Sequence, residues 1–136
     1  MPAPQSIYPG LELDHSFAVS EEMMTAFARL SGDHHAVHHD DGYARTRGFK
    51  ARIVYGGLLV AQVSRLVGAE LPVRHCVWSR LTIDFRAPLY VGETASLRAT
   101  IVNVAEAVGA LSLRFEIAAD GRAIARGTAE VIFSND

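Results

Sequence analysis

The sequence predicts an α+β domain in which an antiparallel sheet is layered with one long buried helix. Three observations carry this expectation. From Arg74 onward the chain alternates apolar and polar residues with period two in four successive runs. Just before them, from about Gly57 to Leu71, nearly every residue is apolar or small, the pattern of a buried helix. The remaining helical signals are confined to the first half of the chain, the segregation expected of an α+β arrangement.

In chain order, residues 1–10 contain three prolines and a glycine and read as an extended arm. Leu11 to Val19 alternates well enough for a short strand. Ser20 reads as an N-cap, because its hydroxyl accepts from an otherwise unpaired amide, and Glu21 and Glu22 suit the positive helix start. Met23, Met24, Phe27 and Leu30 recur at helical spacing, so a helix with an apolar face runs to about Leu30. Gly32 ends it. The stretch SGDHHAVHHDD is too polar for core, with Asp40 or Asp41 able to cap a short helix through Tyr43 and Ala44. A loop rich in glycine and basic residues, TRGFKARIVYGG, leads into the apolar helix, which Pro72 stops. The four runs lie within 75–90, 93–106, 109–119 and 122–133. Turn signals at Val91-Gly92, Val108-Gly109 and Asp120-Gly121 separate them, so an antiparallel meander is expected.

A length of 136 residues, 49% of them hydrophobic and 21% charged, suits one globular domain spanning 1–136. The formal net charge of −2 does not point to nucleic acid or to an anionic membrane surface. The most apolar stretch, Ile53 to Val63, falls well short of the roughly 20 residues that span a bilayer. The single cysteine, Cys76, cannot form an internal disulfide, and the amino terminus lacks a secretory pattern, so a reduced, cytoplasmic setting is expected.

Ser31 to Asp40 (SGDHHAVHHD) resembles the hydratase motif S-G-D-x-N-P-x-H-x-D of MaoC-like and (R)-specific enoyl-CoA hydratases, matching at five of seven defined positions. Arg52 to Leu59 is similar to that family's A-H-G-M segment, which opens a long central helix. Phe85 to Leu89, followed by Gly92-Glu93, is similar to its F-x-x-P-V-x-x-G-D segment. His35, Ala36, Tyr55 and Gly57 depart from the family's Asn, Pro, His and Met.

The resemblance implies a hot-dog fold, usually a homodimer with joined sheets, and reversible hydration of a trans-2-enoyl thioester to a 3-hydroxyacyl thioester. The substrate would be an acyl-CoA or an acyl carrier protein thioester, with no metal or redox cofactor. Asp33 and His38 would hold the attacking water and serve as base and acid. Gly56 and Gly57 precede a buried helix, so their amides suit an oxyanion hole, with Gly56 the catalytic donor. Ser31, His35, Tyr55 and Gly57 would lie at the substrate site. Arg45, Arg47, Lys50 and Arg52 place four positive charges within eight residues and would receive the phosphates of coenzyme A or phosphopantetheine.

Simpler roles are available to each residue. Asp33 suits a turn, His38 a partly buried histidine, Tyr55 an aromatic lining the helix entrance, and the basic loop a solvated run. Trp78, Phe85 and Phe115 sit in period-two runs as core or interface residues. A metal site at His34 and His38, or His35 and His39, would require a helix at a place where Gly32 argues for loop. A hot-dog thioesterase and a non-catalytic acyl-binding module are the alternative functions, the first having no particular need for His38.

Overall fold

The computed structural model describes residues 6–134. The arm expected over 1–10 lies outside the described residues for its first half; of the rest, Ile7 is buried in the core and the Gly10 amide donates to the Ile101 carbonyl.

Five strands form one antiparallel sheet: β1 (Glu12–Ala18), β2 (His75–Phe85), β3 (Thr94–Ala105), β4 (Ala110–Ala119) and β5 (Arg122–Ser134). The order across the sheet is β1-β3-β4-β5-β2. Strands β3, β4 and β5 form the expected meander. The first of the four runs does not join it in sequence order: β2 pairs with β5 at the far edge, and β1 takes the place beside β3. Periodicity marks strands but not their neighbours. The long connection through Pro88 and Gly92 carries the chain from one edge of the sheet to the other side.

The register separates the two faces cleanly. One row reads His15, Leu97, Ile117, Ala125 and Phe85 on the inner face; the adjacent row reads Asp14, Arg98, Glu116, Arg126 and Asp84 on the outer face. The outer row alternates in sign across all five strands, and opposite charges facing each other across strands each contribute roughly 0.2–1 kcal/mol. These residues line a broad, open depression of about 720 Å³. The inner face carries the core, with Leu97, Ile101, Leu113, Phe115, Ile117 and Ile124 fully covered.

Against that face lies the central helix, α3, in an order that begins with α1 (Glu21–Ser31) and α2 (Asp41–Thr46) and continues to α3 (Gly56–Arg65). A π-helical turn, Leu66–Glu70, extends α3, closed by the Leu71 amide donating to the Leu66 carbonyl. Leu58, Leu59, Val63, Leu66 and Val67 are buried, whereas Gly57, Ala61, Ser64 and Gly68 are exposed. The all-round burial expected of this helix is therefore corrected. One sheet covers one side of a helix, and the opposite stripe is apolar only in having small residues. His15, on β1, bonds to Glu70 (3.0 Å) and Gln62 (3.0 Å) and so ties the edge strand to this helix.

The first helix begins as expected: Ser20 caps it, its hydroxyl accepting from the Met23 amide, and Gly32 ends it at φ 76°. Its apolar face is rotated from the expected one. Met24 and Ala28 enter the core, Met23 and Phe27 are half-buried, and Leu30 is 83% exposed. Leu30 lies one turn beyond Phe27, on the face of Met23 and not of Met24. Asp40 caps α2 by accepting from the Tyr43 amide.

Glu93 and Arg122 clasp the turn that delivers β3. Both carboxylate oxygens accept from the guanidinium at 2.7 and 3.1 Å, and Glu93 also accepts from the Tyr90 amide. The hydrogen bonds from Arg122 hold the Glu93 carboxyl below its ordinary value of 4.5. A depressed acid stabilises the fold above its unfolded pKa, and that contribution is lost as pH falls through the folded value. Glu93→Gln is therefore expected to cost roughly 1.5–3 kcal/mol at neutral pH. The gap between wild type and variant in urea midpoints should close as pH drops below 4.5; a constant gap down to acid would refute the assignment.

Candidate active site

Between α1 and α2 the chain makes a 3₁₀ turn, Ala36–His38, which the polar sequence of this stretch did not announce. It is built from local side-chain caps. The Ser31 hydroxyl donates to the Phe27 carbonyl and accepts from the Asp33 amide; Asp33 Oδ1 accepts from the His35 amide; His35 Nδ1 accepts from the Val37 amide. Asp33 thus plays the turn role open to it and still leaves Oδ2 unused by that turn. Ser31 and His35, expected at the substrate site, are engaged in shaping this turn.

His38 is brought round to Asp33 by a contact with the loop before α3. The Ile53 amide donates to the Val37 carbonyl, and His38 Nδ1 lies 2.8 Å from the Ile53 carbonyl. A carbonyl only accepts, so Nδ1 carries the proton and the lone pair of a neutral ring is on Nε2. That nitrogen faces Asp33 Oδ2 at 4.0 Å, too far for a direct bond and suited to one bridging water. The His38 side chain is 14% exposed and that of Asp33 48%, so the pair sits at the rim of the fold with one member open to solvent.

Beside the pair stands the start of α3. Tyr55 is its N-cap, with no side-chain cap of the helix, and the Leu58 amide donates to the Tyr55 carbonyl. The amides of Gly56 and Gly57 thus open a helix at the positive end of its dipole. A Cβ at Gly56 would stand 3.0 Å from the Phe85 ring, and one at Gly57 2.7 Å or less from the Phe27 ring. Both glycines are closely approached, and two aromatic rings flank the amides. At position 57, where the resembling segment has Met, the Phe27 ring occupies the space a side chain would take and would have to move to admit one.

Phe27 and Phe85 were legible only as a helix face and a strand residue, because nothing local signals that each ring reaches Gly56 or Gly57. Tyr55 is buried, its hydroxyl bonded to the Asp33 carbonyl (2.6 Å) and to His39 (2.5 Å), and its ring stacked on His38. Burial and the nearby Asp33 push its phenol above the ordinary value.

The basic loop is divided. Arg52 forms ion pairs with Glu21 and, at 4.0 Å, Asp41, tying α1 to α2. Arg45 donates to the Lys50 carbonyl, Arg47 to the Tyr43 hydroxyl, and both are exposed, as is Lys50. Among the described residues, no group of three His, Cys, Asp or Glu side chains converges as metal ligands would. Nitrogens of His35, His38 and His39 are each engaged by protein partners.

An antiparallel sheet holding a helix on its inner face is the arrangement of a hot-dog protein, and here a carboxylate and an imidazole lie at that helix's amino end. The chain belongs to the MaoC-like domain family, whose model matches residues 5–113. It is 32% identical over 104 residues to an (R)-specific enoyl-CoA hydratase of Aeromonas caviae, covering 75% of this chain and 76% of that protein. A second (R)-specific enoyl-CoA hydratase, of Rhodospirillum rubrum, is 27% identical over 128 residues, covering 94% and 89%. The solved structure of an (R)-hydratase from A. caviae involved in PHA biosynthesis superposes with a TM-score of 0.89 at 27% identity, covering 96% of this chain and 99% of that one.

Proposed function

We propose that this chain is a cytoplasmic acyl-thioester hydro-lyase that adds water reversibly to a trans-2-enoyl thioester, giving a 3-hydroxyacyl thioester. The observation that carries this reading is the 4.0 Å gap between His38 Nε2 and Asp33 Oδ2, with Nδ1 turned to a carbonyl. A water held there is approached by two groups that exchange protons. The pair carries one proton; as the water oxygen bonds to C3, one member takes a water proton while the other delivers its own to C2. The thioester oxygen bears the developing negative charge and meets the Gly56 amide, with Gly57 beside it. Losing one such donor typically costs on the order of 10²–10³-fold.

Both relatives named above are enoyl-CoA hydratases, which supports coenzyme A as the carrier of the acyl group. Arg45, Arg47 and Lys50 are the exposed cations suited to its phosphates, Arg52 being paired within the fold. The reaction calls for no metal or redox cofactor. We assign the open edge of β2, with Val77 exposed, to the joining of two sheets in a homodimer, which sedimentation would show as twice the mass of 14.7 kDa.

The test is loss of the conjugated absorbance of crotonyl and longer 2-enoyl thioesters. Turnover insensitive to chelators is the expected result. Release of free thiol without hydration would identify a thioesterase, and binding without any turnover a non-catalytic acyl-binding protein.

A further inference from the structure

The pair assigned above is not held together by a bond of its own. Asp33 and His38 are too far apart to bond, the Asp33 side chain is half-exposed, and the bonds from Ser31 and His35 tie Asp33 only to residues two away. The tie that reaches Asp33 from another part of the fold comes from Tyr55, 22 residues later in the chain.

We propose that Tyr55, with His39 behind it, is the positioning residue of this site: its hydroxyl fixes the Asp33 turn and its ring fixes the His38 imidazole, keeping the two one water apart. This rests on the hydratase reading and extends it. The donor assignments follow from the partners. The Asp33 carbonyl can only accept, so the phenol proton goes there at 2.6 Å. His39 Nε2, at 2.5 Å, must then donate its N–H to the phenol oxygen. A hydroxyl that accepts and donates at once is polarised along the chain, which strengthens both bonds.

The ring does the second half. It stacks on His38 with centroids 3.9 Å apart and planes 25° apart, and Phe27 packs against it at 4.6 Å. Because Tyr55 immediately precedes Gly56 and its carbonyl caps α3, one residue sets the carboxylate, the imidazole and the amide donors relative to one another. Tyr55 is 2% exposed and its proton is spent on Asp33, so it supports the reacting groups without touching substrate.

The test compares Tyr55→Phe, His39→Ala, His39→Gln and the double variant Tyr55→Phe/His39→Ala. Four quantities are read: thermal midpoint, kcat and KM on crotonyl-CoA, and native-state exchange of the backbone amides of residues 35–40. Tyr55→Phe keeps the ring and is expected to lower the thermal midpoint by only a few degrees and to leave KM nearly unchanged. It should lower kcat on the order of 10²-fold, the scale of misplacing a reacting group by about 1 Å. Exchange at residues 35–40 should quicken by about tenfold, the worth of one such bond. His39→Ala should act in the same direction, the double variant should add little to either, and His39→Gln, whose amide can still donate, should recover. Unchanged kcat and exchange in Tyr55→Phe, or exchange quickened evenly over the whole chain, would overturn the proposal. If wild type hydrates no enoyl thioester, the hydratase reading fails, but the exchange arm still decides positioning: quickening confined to 35–40 supports it, and none refutes it.

Discussion

Asp33→Asn and His38→Ala are each expected to lower kcat for 2-enoyl thioester hydration by about 10²–10⁴-fold, the usual worth of a positioned proton-transfer group. The two replacements remove different things. Asn at 33 retains the Oδ1 acceptor that the His35 amide uses, so the turn should persist while the anionic oxygen facing His38 is gone. Alanine at 38 removes the nitrogen that faces Asp33 together with the link to the Ile53 carbonyl. Because both groups act on one water, the double variant should be little worse than the poorer single one. Thermal midpoints within a few degrees of wild type would show that chemistry and not folding is lost. Full hydration activity in His38→Ala would sink the paired mechanism.

Gly127→Ala is expected to be the most damaging single-methyl change, costing about 3 kcal/mol or more. Gly127 lies on β5 opposite Ile83 of β2 and Phe115 of β4. An added Cβ there would overlap the Thr82 carbonyl oxygen and come within 2.8 Å of its carbon and 2.9 Å of the Phe115 ring. A side-chain tip can swing away from such a contact; a carbonyl held in a sheet can move only if β2 separates from β5. Overpacking typically costs about 1–3 kcal/mol where side chains can adjust, and here they cannot. Chemical denaturation of the purified variant measures this directly, and a loss below about 1 kcal/mol would mean that the strands are not apposed as described.

Much of the site was legible because its parts are local in sequence. Gly32, Asp33 and Asp40 announce a helix end, a turn and a cap through their own side-chain chemistry, and each serves in that way. The glycines before an apolar helix likewise announce free amides. The uses of Arg52 and Ser31 were not legible: a guanidinium next to other cations suggests an anion, but the carboxylates that take it, Glu21 and Asp41, lie on separate helices. Phe27, Phe85 and His39 were missed for the same reason. Their contacts with Gly57, Gly56 and Tyr55 span 16 residues or more and leave no trace in periodicity.

The residue pattern by itself determined the five strand segments, where α1 starts and stops, where α3 begins, and which short segment brings a carboxylate near an imidazole. Those depend on interactions within a few residues, which periodicity and capping chemistry encode. Tertiary structure alone decided that β2 joins β5 and not β3, that α3 buries one side, and that Tyr55 stands between Asp33, His38 and His39. Pairing partners and long-range hydrogen bonds are chosen by the fit of whole surfaces, which no single segment carries.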